Sequence, residues 1–170
     1  MNATLETTAT LEDVKRMHGI SADGAGRIAA ELRTLLADVF ALYMKTKNFH
    51  WHVHGPLFSL YHELLDEHAA QIFAMADPLA ERTRKIGERA LLSVGDIARR
   101  QRIRDNDAAN VSAKDMLTEL LADTRSLVMN FQFVHELCAA ENDFATASVI
   151  ENWIDESEQR AWGLAETVSA

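Results

Sequence analysis

Apolar side chains return every three or four residues along this chain, and no other feature constrains its fold as tightly. Ile28, Leu32, Leu35, Val39, Leu42 and Tyr43 form the first such series, and others follow through the rest of the 170 residues. A period of 3.6 gathers them on one stripe of an α-helix, and that stripe has to be buried against another element. No segment alternates apolar and polar residues in the period-two manner of a strand. The 7 Gly and 2 Pro leave little material for turns. The spacing predicts an all-α chain.

The series divide at recognisable stops. A first long helix is expected from about Gly24 to about Val53. "HGPLF" interrupts it, with Gly55 as a stop and Pro56 suited to the first turn of the next helix. The second helix carries Tyr61, Leu64, Leu65, Ile72, Phe73 and Leu79 and closes near Gly87. Pro78 lies inside it and is expected to kink it about one turn earlier. A connection over 88–111 holds a short helical candidate, "SVGDIARRQ". Ser112 followed by Asp115 resembles a capping box, and behind it Leu117, Leu120, Leu121, Leu127, Phe131 and Val134 mark a third helix. Asp143 or Thr146 opens a fourth, with Ile150, Trp153, Ile154 and Trp162. Four long amphipathic helices with an extended middle connection predict a four-helix bundle with a crossover and a short extra helix within it. One domain over 20–170 is expected, behind an N-terminal extension over 1–19 with a short helical candidate at about 10–18.

Composition narrows the setting. Cys138 is the single cysteine, so an internal disulfide framework is excluded. No apolar stretch is long enough to cross a membrane, and the start lacks the charged and apolar blocks of a signal peptide. The cytoplasm is the default expectation.

The chemistry concentrates in "NFHWHVHGPLFSLYHELLDEH", residues 48–68, which holds five of the seven histidines. His62 and Asp66 are four apart and share a helix face; so do Asp77 and Glu81 further along the same helix. His50 ends the first helix close to the start of the second. Imidazole with carboxylate suits iron or another borderline divalent ion, and open positions on such an ion permit redox chemistry. Either pair alone reads more readily as a solvated or ion-paired helix face. Fifteen residues separate His62 from Asp77, about 22 Å of helix at 1.5 Å per residue, so one ion cannot bridge them. Either the pairs are unrelated, or they are half-sites completed by a second copy. An isologous dimer with antiparallel second helices would bring Asp77 and Glu81 of one subunit to His50, His62 and Asp66 of the other, giving two equivalent sites.

The stretch "KNFHWHVHGPLFSLYHELLDEHAAQIFAMADPLAER" resembles the signature of the Dps family, the ferritin-like mini-ferritins known as DNA-binding proteins from starved cells. The likeness covers the signature and the helix order. It implies a ferritin-like bundle with a ferroxidase site between subunits, made by His50, His62, Asp66, Asp77 and Glu81. It further implies a twelve-subunit homo-oligomeric shell, built from two-fold dimers, that oxidises Fe(II), preferably with hydrogen peroxide, stores ferric mineral and protects against oxidative damage. No histidine has Glu three residues before it, so the Glu-x-x-His pairs of an intrabundle di-iron site are missing.

The other residues carry weaker expectations. His54, on the face of His50 if the helix continues, is an auxiliary metal candidate, with surface or loop packing as the alternative; His52 points elsewhere. Trp51 occupies the position where the resemblance implies interception of oxidising equivalents, and a packed interface aromatic fits equally. His18, His68 and His135 read as exposed or satisfied structural residues, Arg82 as a salt-bridge partner, and Cys138 as a small buried side chain. Met44, Met75, Met116 and Met129 read as core. The resemblance places acidic iron-channel residues near the start of the fourth helix, where Glu141 and Asp143 stand. Pro78 puts the aim of Asp77 in question.

The resemblance also carries an alternative function, compaction of nucleoid DNA. That needs Lys and Arg meeting phosphates. Residues 1–20 set Lys15 and Arg16 against Glu6, Glu12 and Asp13, the final "GLAETVSA" has no base, and the formal net charge is −9. Such a field repels a polyanion. Eight bases between Arg82 and Arg104 are the counter-signal, read as a salt-bridged connection unless they share one outer face.

Overall fold

The computed structural model describes residues 19–169, and within them every regular element is helical. They are α1 (Ala22–His52), α2 (Phe58–Ala74), α3 (Ala76–Lys85), α4 (Val94–Arg100), α5 (Ala113–Ala140) and α6 (Phe144–Ser169). The short helix expected at 10–18 lies outside the described residues.

Local chemistry explains the boundaries. Three serines cap helices: Ser21 accepts from the Gly24 amide, Ser93 from Asp96 and Ser112 from Asp115. At the end of α3, Gly87 has φ +91°, its N–H donates to Arg84 O, and the next N–H, of Glu88, donates to Thr83 O. At the end of α5 the same closure is built on Asn142, φ +61°, with Asp143 N–H donating to Cys138 O. Both are Schellman closures, and Asn is the non-glycine residue that best tolerates this left-handed conformation. Asp143 then accepts the Thr146 amide at 3.0 Å, so it opens α6, one of the two starts expected.

Two boundaries differ from expectation. Pro56 lies in the turn after Gly55, and α2 begins two residues later at Phe58. The second long helix is two helices, not one kinked helix. Pro78 has no N–H to give to the carbonyl of Ala74, and α2 ends at that residue; Met75 forms the junction.

Helices α1, α2–α3, α5 and α6 pack around one core with Leu32, Leu35, Leu65, Leu79, Leu120, Phe131 and Ile150 at its centre. The α4 crossover lies against α1. Asp38 of α1, fully buried, anchors the connection by accepting from the Arg102 amide and guanidinium and the Ile103 amide. Met75 and Met116 are buried, but Met44 and Met129 are more than half exposed and are not core residues as expected. Trp51, Leu57, Phe58 and Leu60 are also exposed, clustered in sequence around the α1–α2 turn. No helix among the described residues is long and apolar enough to cross a membrane.

Candidate metal centre

The turn between α1 and α2 folds the end of one helix against the start of the next, so His50 and His62 meet. Their rings stack with centroids 3.8 Å apart, inclined by 23°. His50 Nδ1 lies 2.8 Å from the backbone oxygen of His62, and His62 Nδ1 lies 2.9 Å from the backbone oxygen of His50. A carbonyl can only accept, so both Nδ1 atoms carry protons. In the neutral rings each Nε2 then holds its lone pair, the state a metal requires. Backbone contacts of this kind fix both tautomer and ring orientation.

Asp66, one turn along α2, lies beside His50. Its Oδ1 lies 4.0 Å from His50 Nε2 and 2.6 Å from Lys47 Nζ. The Lys47 hydrogen bond and charge hold the Asp66 carboxyl below its ordinary value; slight desolvation opposes this, and His50 and His62 reinforce it. Lys47 is a site neighbour that sequence reasoning passed over. Its place three residues before His50, on the same helix face, is the signal that would have found it.

Asp77 and Glu81 lie on α3, beyond the Met75 break. Asp77 is exposed, and Glu81 is exposed and paired with Lys85 at 2.9 Å. The structure thus gathers His50, His62 and Asp66 at one place and leaves Asp77 and Glu81 at another. Among the described residues, no three His, Cys, Asp or Glu side chains converge within one chain to hold a metal ion.

The ferritin-like domain family matches residues 29–170. This chain belongs to the ferritin-like family, as a Dps-type mini-ferritin. A DNA protection during starvation protein of Helicobacter pylori is 28% identical over 133 residues, which are 78% of this chain and 92% of that protein. Antigen TpF1 of Treponema pallidum is 30% identical over 143 residues, 84% of this chain and 81% of the antigen. The crystal structure of that antigen superposes with a TM-score of 0.85 at 27% identity, covering 88% of this chain and 96% of the other. A Dps protein from Bacillus brevis gives 0.84 at 26%, covering 88% and 99%.

The auxiliary expectations for this Dps-type chain fare differently. His54 does not share a helix face with His50, because α1 ends at His52 and Val53 is extended. His54 instead lines, with Lys45, Asn48, Trp51 and His52, a cavity of about 600 Å³ that residues 105–111 close on the other side. Asp143 is buried: it caps α6, accepts from Thr146 Oγ1 and holds Arg82 Nη2 at 2.9 Å. Those contacts give it a structural role at the start of α6. Glu141 is ion-paired to Arg27 and accepts from Ser21 Oγ at 3.4 Å. Cys138 is buried, and burial together with the Asp143 charge, against Arg82, pushes its thiol up to about 12, which removes thiolate chemistry. Of the eight bases between Arg82 and Arg104, five are tied down within the chain: Arg82 to Asp143, Lys85 to Glu81, Arg99 and Arg100 to Asp96, and Arg102 to Asp38. Of these pairs, Arg102 with Asp38 ties the crossover to α1.

Proposed function

We propose that this protein is a ferroxidase and iron store whose reaction sites form between subunits of a homo-oligomeric shell. The observation that carries the reading is the reciprocal bonding of His50 and His62. It leaves two oriented Nε2 lone pairs beside the Asp66 carboxylate, half of a ligand set suited to Fe(II). Asp77 and Glu81 of a two-fold-related copy complete the set, since their own chain holds them away. The exposed Trp51, Leu57, Phe58 and Leu60 beside the half-site give that copy an apolar surface to cover.

Iron is the substrate here. Two Fe(II) ions each give one electron to hydrogen peroxide, the O–O bond breaks, and two protons complete two molecules of water. The chain binds and orients the ions through His50, His62 and Asp66 and keeps both imidazoles in the ligating tautomer. The ferric product accumulates inside the shell, which withdraws Fe(II) from reaction with peroxide elsewhere in the cell. Nucleoid compaction, the alternative, gains no support from a basic cluster largely neutralised by its own carboxylates.

Anaerobic titration with Fe(II), followed by peroxide, tests the reading. Wild-type protein is expected to give a rapid ferric absorbance, and His62→Ala and Asp66→Ala to slow it at least about tenfold, the loss expected when a group aligning the reactants is removed. Equal rates in wild type and variants would overturn it.

A further inference from the structure

Three lysine or arginine side chains are buried among the described residues: Lys45, Arg82 and Arg160. The first two are neutralised. Lys45 Nζ lies 2.7 Å from Glu119 Oε1 and 2.6 Å from Asp123 Oδ2, and Arg82 Nη2 lies 2.9 Å from Asp143 Oδ1. Arg160 of α6, only 4% exposed, forms no ion pair with any described residue. Its Nη2 donates to Ser157 Oγ at 2.6 Å, and its Nη1 reaches Gln71 Oε1 of α2 at 3.5 Å, a long contact. Its Nε is buried and has no hydrogen-bond partner among the described residues.

The surroundings offset this charge only through the field of exposed Glu156. Gln71 is a dipole, and its own amide donates to Glu67 Oε1 at 3.1 Å. Burial draws the guanidinium itself down, against the field of Glu156, yet an arginine remains charged at any working pH. A water on Nε would satisfy a hydrogen bond and leave the charge without a direct ion-pair partner. Such a charge is strongly destabilising.

We infer that the seam between α2 and α6 is a binding site for an oxyanion, with Arg160 as the receptor. The planar guanidinium matches a ligand presenting two oxygens side by side, which defines a carboxylate or phosphate-type anion. Ser157, whose hydroxyl oxygen already accepts from Arg160, keeps a proton to donate to it. The anion comes from one of two sources: free phosphate, or a side-chain carboxylate of an adjoining copy of this chain. This site is independent of the His50–His62 cluster.

Two measurements on the metal-free, full-length protein decide the matter. Calorimetric titration with inorganic phosphate at low ionic strength is expected to show about one site per chain, weakened at least tenfold in Arg160→Met. If the anion is instead a neighbour's carboxylate, phosphate leaves the wild type unchanged. Arg160→Met then dissociates, in sedimentation, at protein concentrations at least tenfold higher than wild type does. Arg160→Lys keeps the charge without the fork and is expected to give an intermediate effect in whichever arm responds, so the test survives if Arg160→Met does not fold. Absence of phosphate binding together with wild-type assembly of the variants would sink the inference.

Discussion

Lys47 Nζ rests 2.6 Å from Asp66 Oδ1, so the carboxylate nearest the paired histidines is already held by a cation of its own chain. Fe(II) must share that carboxylate with the ammonium or displace it. Lys47→Met is therefore expected to bind Fe(II) about two- to fivefold more tightly, the modest factor an exposed ion pair supports. The pH dependence follows the same contact. The lowered Asp66 value means the pairing stabilises the fold above the ordinary value of 3.8 and loses its effect as pH falls through the depressed one. An anaerobic equilibrium titration giving equal or weaker binding in the variant would show that Lys47 does not compete.

Sharing of the site between subunits has a quantitative signature. His62→Ala breaks one half-site and Glu81→Gln the other, so each variant shell should be nearly inactive. In a random mixture half the dimers contain one of each chain, and such a dimer has one doubly broken site and one intact site. Unfolding and reassembling the two variants together should restore about a quarter of wild-type ferroxidase activity, a consequence of two-fold symmetry alone. No recovery in a correctly sized mixed shell would place the whole site within one chain.

Asp143 combines two structural tasks, the ion pair to buried Arg82 and the N-cap of α6. Asp143→Ala leaves a buried guanidinium unpaired and an amide uncapped, and is expected to lower stability by about 3–5 kcal/mol. Urea denaturation followed by circular dichroism measures this. A loss under 1 kcal/mol would show that Arg82 finds another partner.

His68 links stability to acid. Burial lowers it from 6.5 to about 4, so between those values the unfolded chain binds a proton that the folded chain refuses. Stability rises with pH through that window and falls on acidification, by up to roughly 3 kcal/mol at about 1.4 kcal/mol per unit. His68→Phe should flatten that part of the pH–stability curve. Retention of the slope in the variant would transfer it to other groups.

The helices and their order were legible because each of their signals is local. The 3.6-residue spacing, the Ser112 cap, the Gly87 stop and the disturbance at Pro78 all act within one or two turns of chain. Even there, the outcome at Pro78 depended on whether the lost Ala74 hydrogen bond could be absorbed by bending, and it ended the helix instead. The exposure of Met44 and Met129 was not legible: helical spacing tells which residues share a face, not which face meets a neighbour.

The sequence by itself determined an all-α bundle and singled out five ligand candidates, because helical period and residue chemistry are properties of short segments. Only the tertiary structure decided which of those candidates meet. It brought His50 against His62 across the turn and locked both Nδ1 protons. It set Lys47 on Asp66, kept Asp77 and Glu81 apart from them, and left Arg160 buried without an ion pair to any described residue. Those outcomes depend on which residues of different helices are packed together, and no local pattern in a chain encodes that distance.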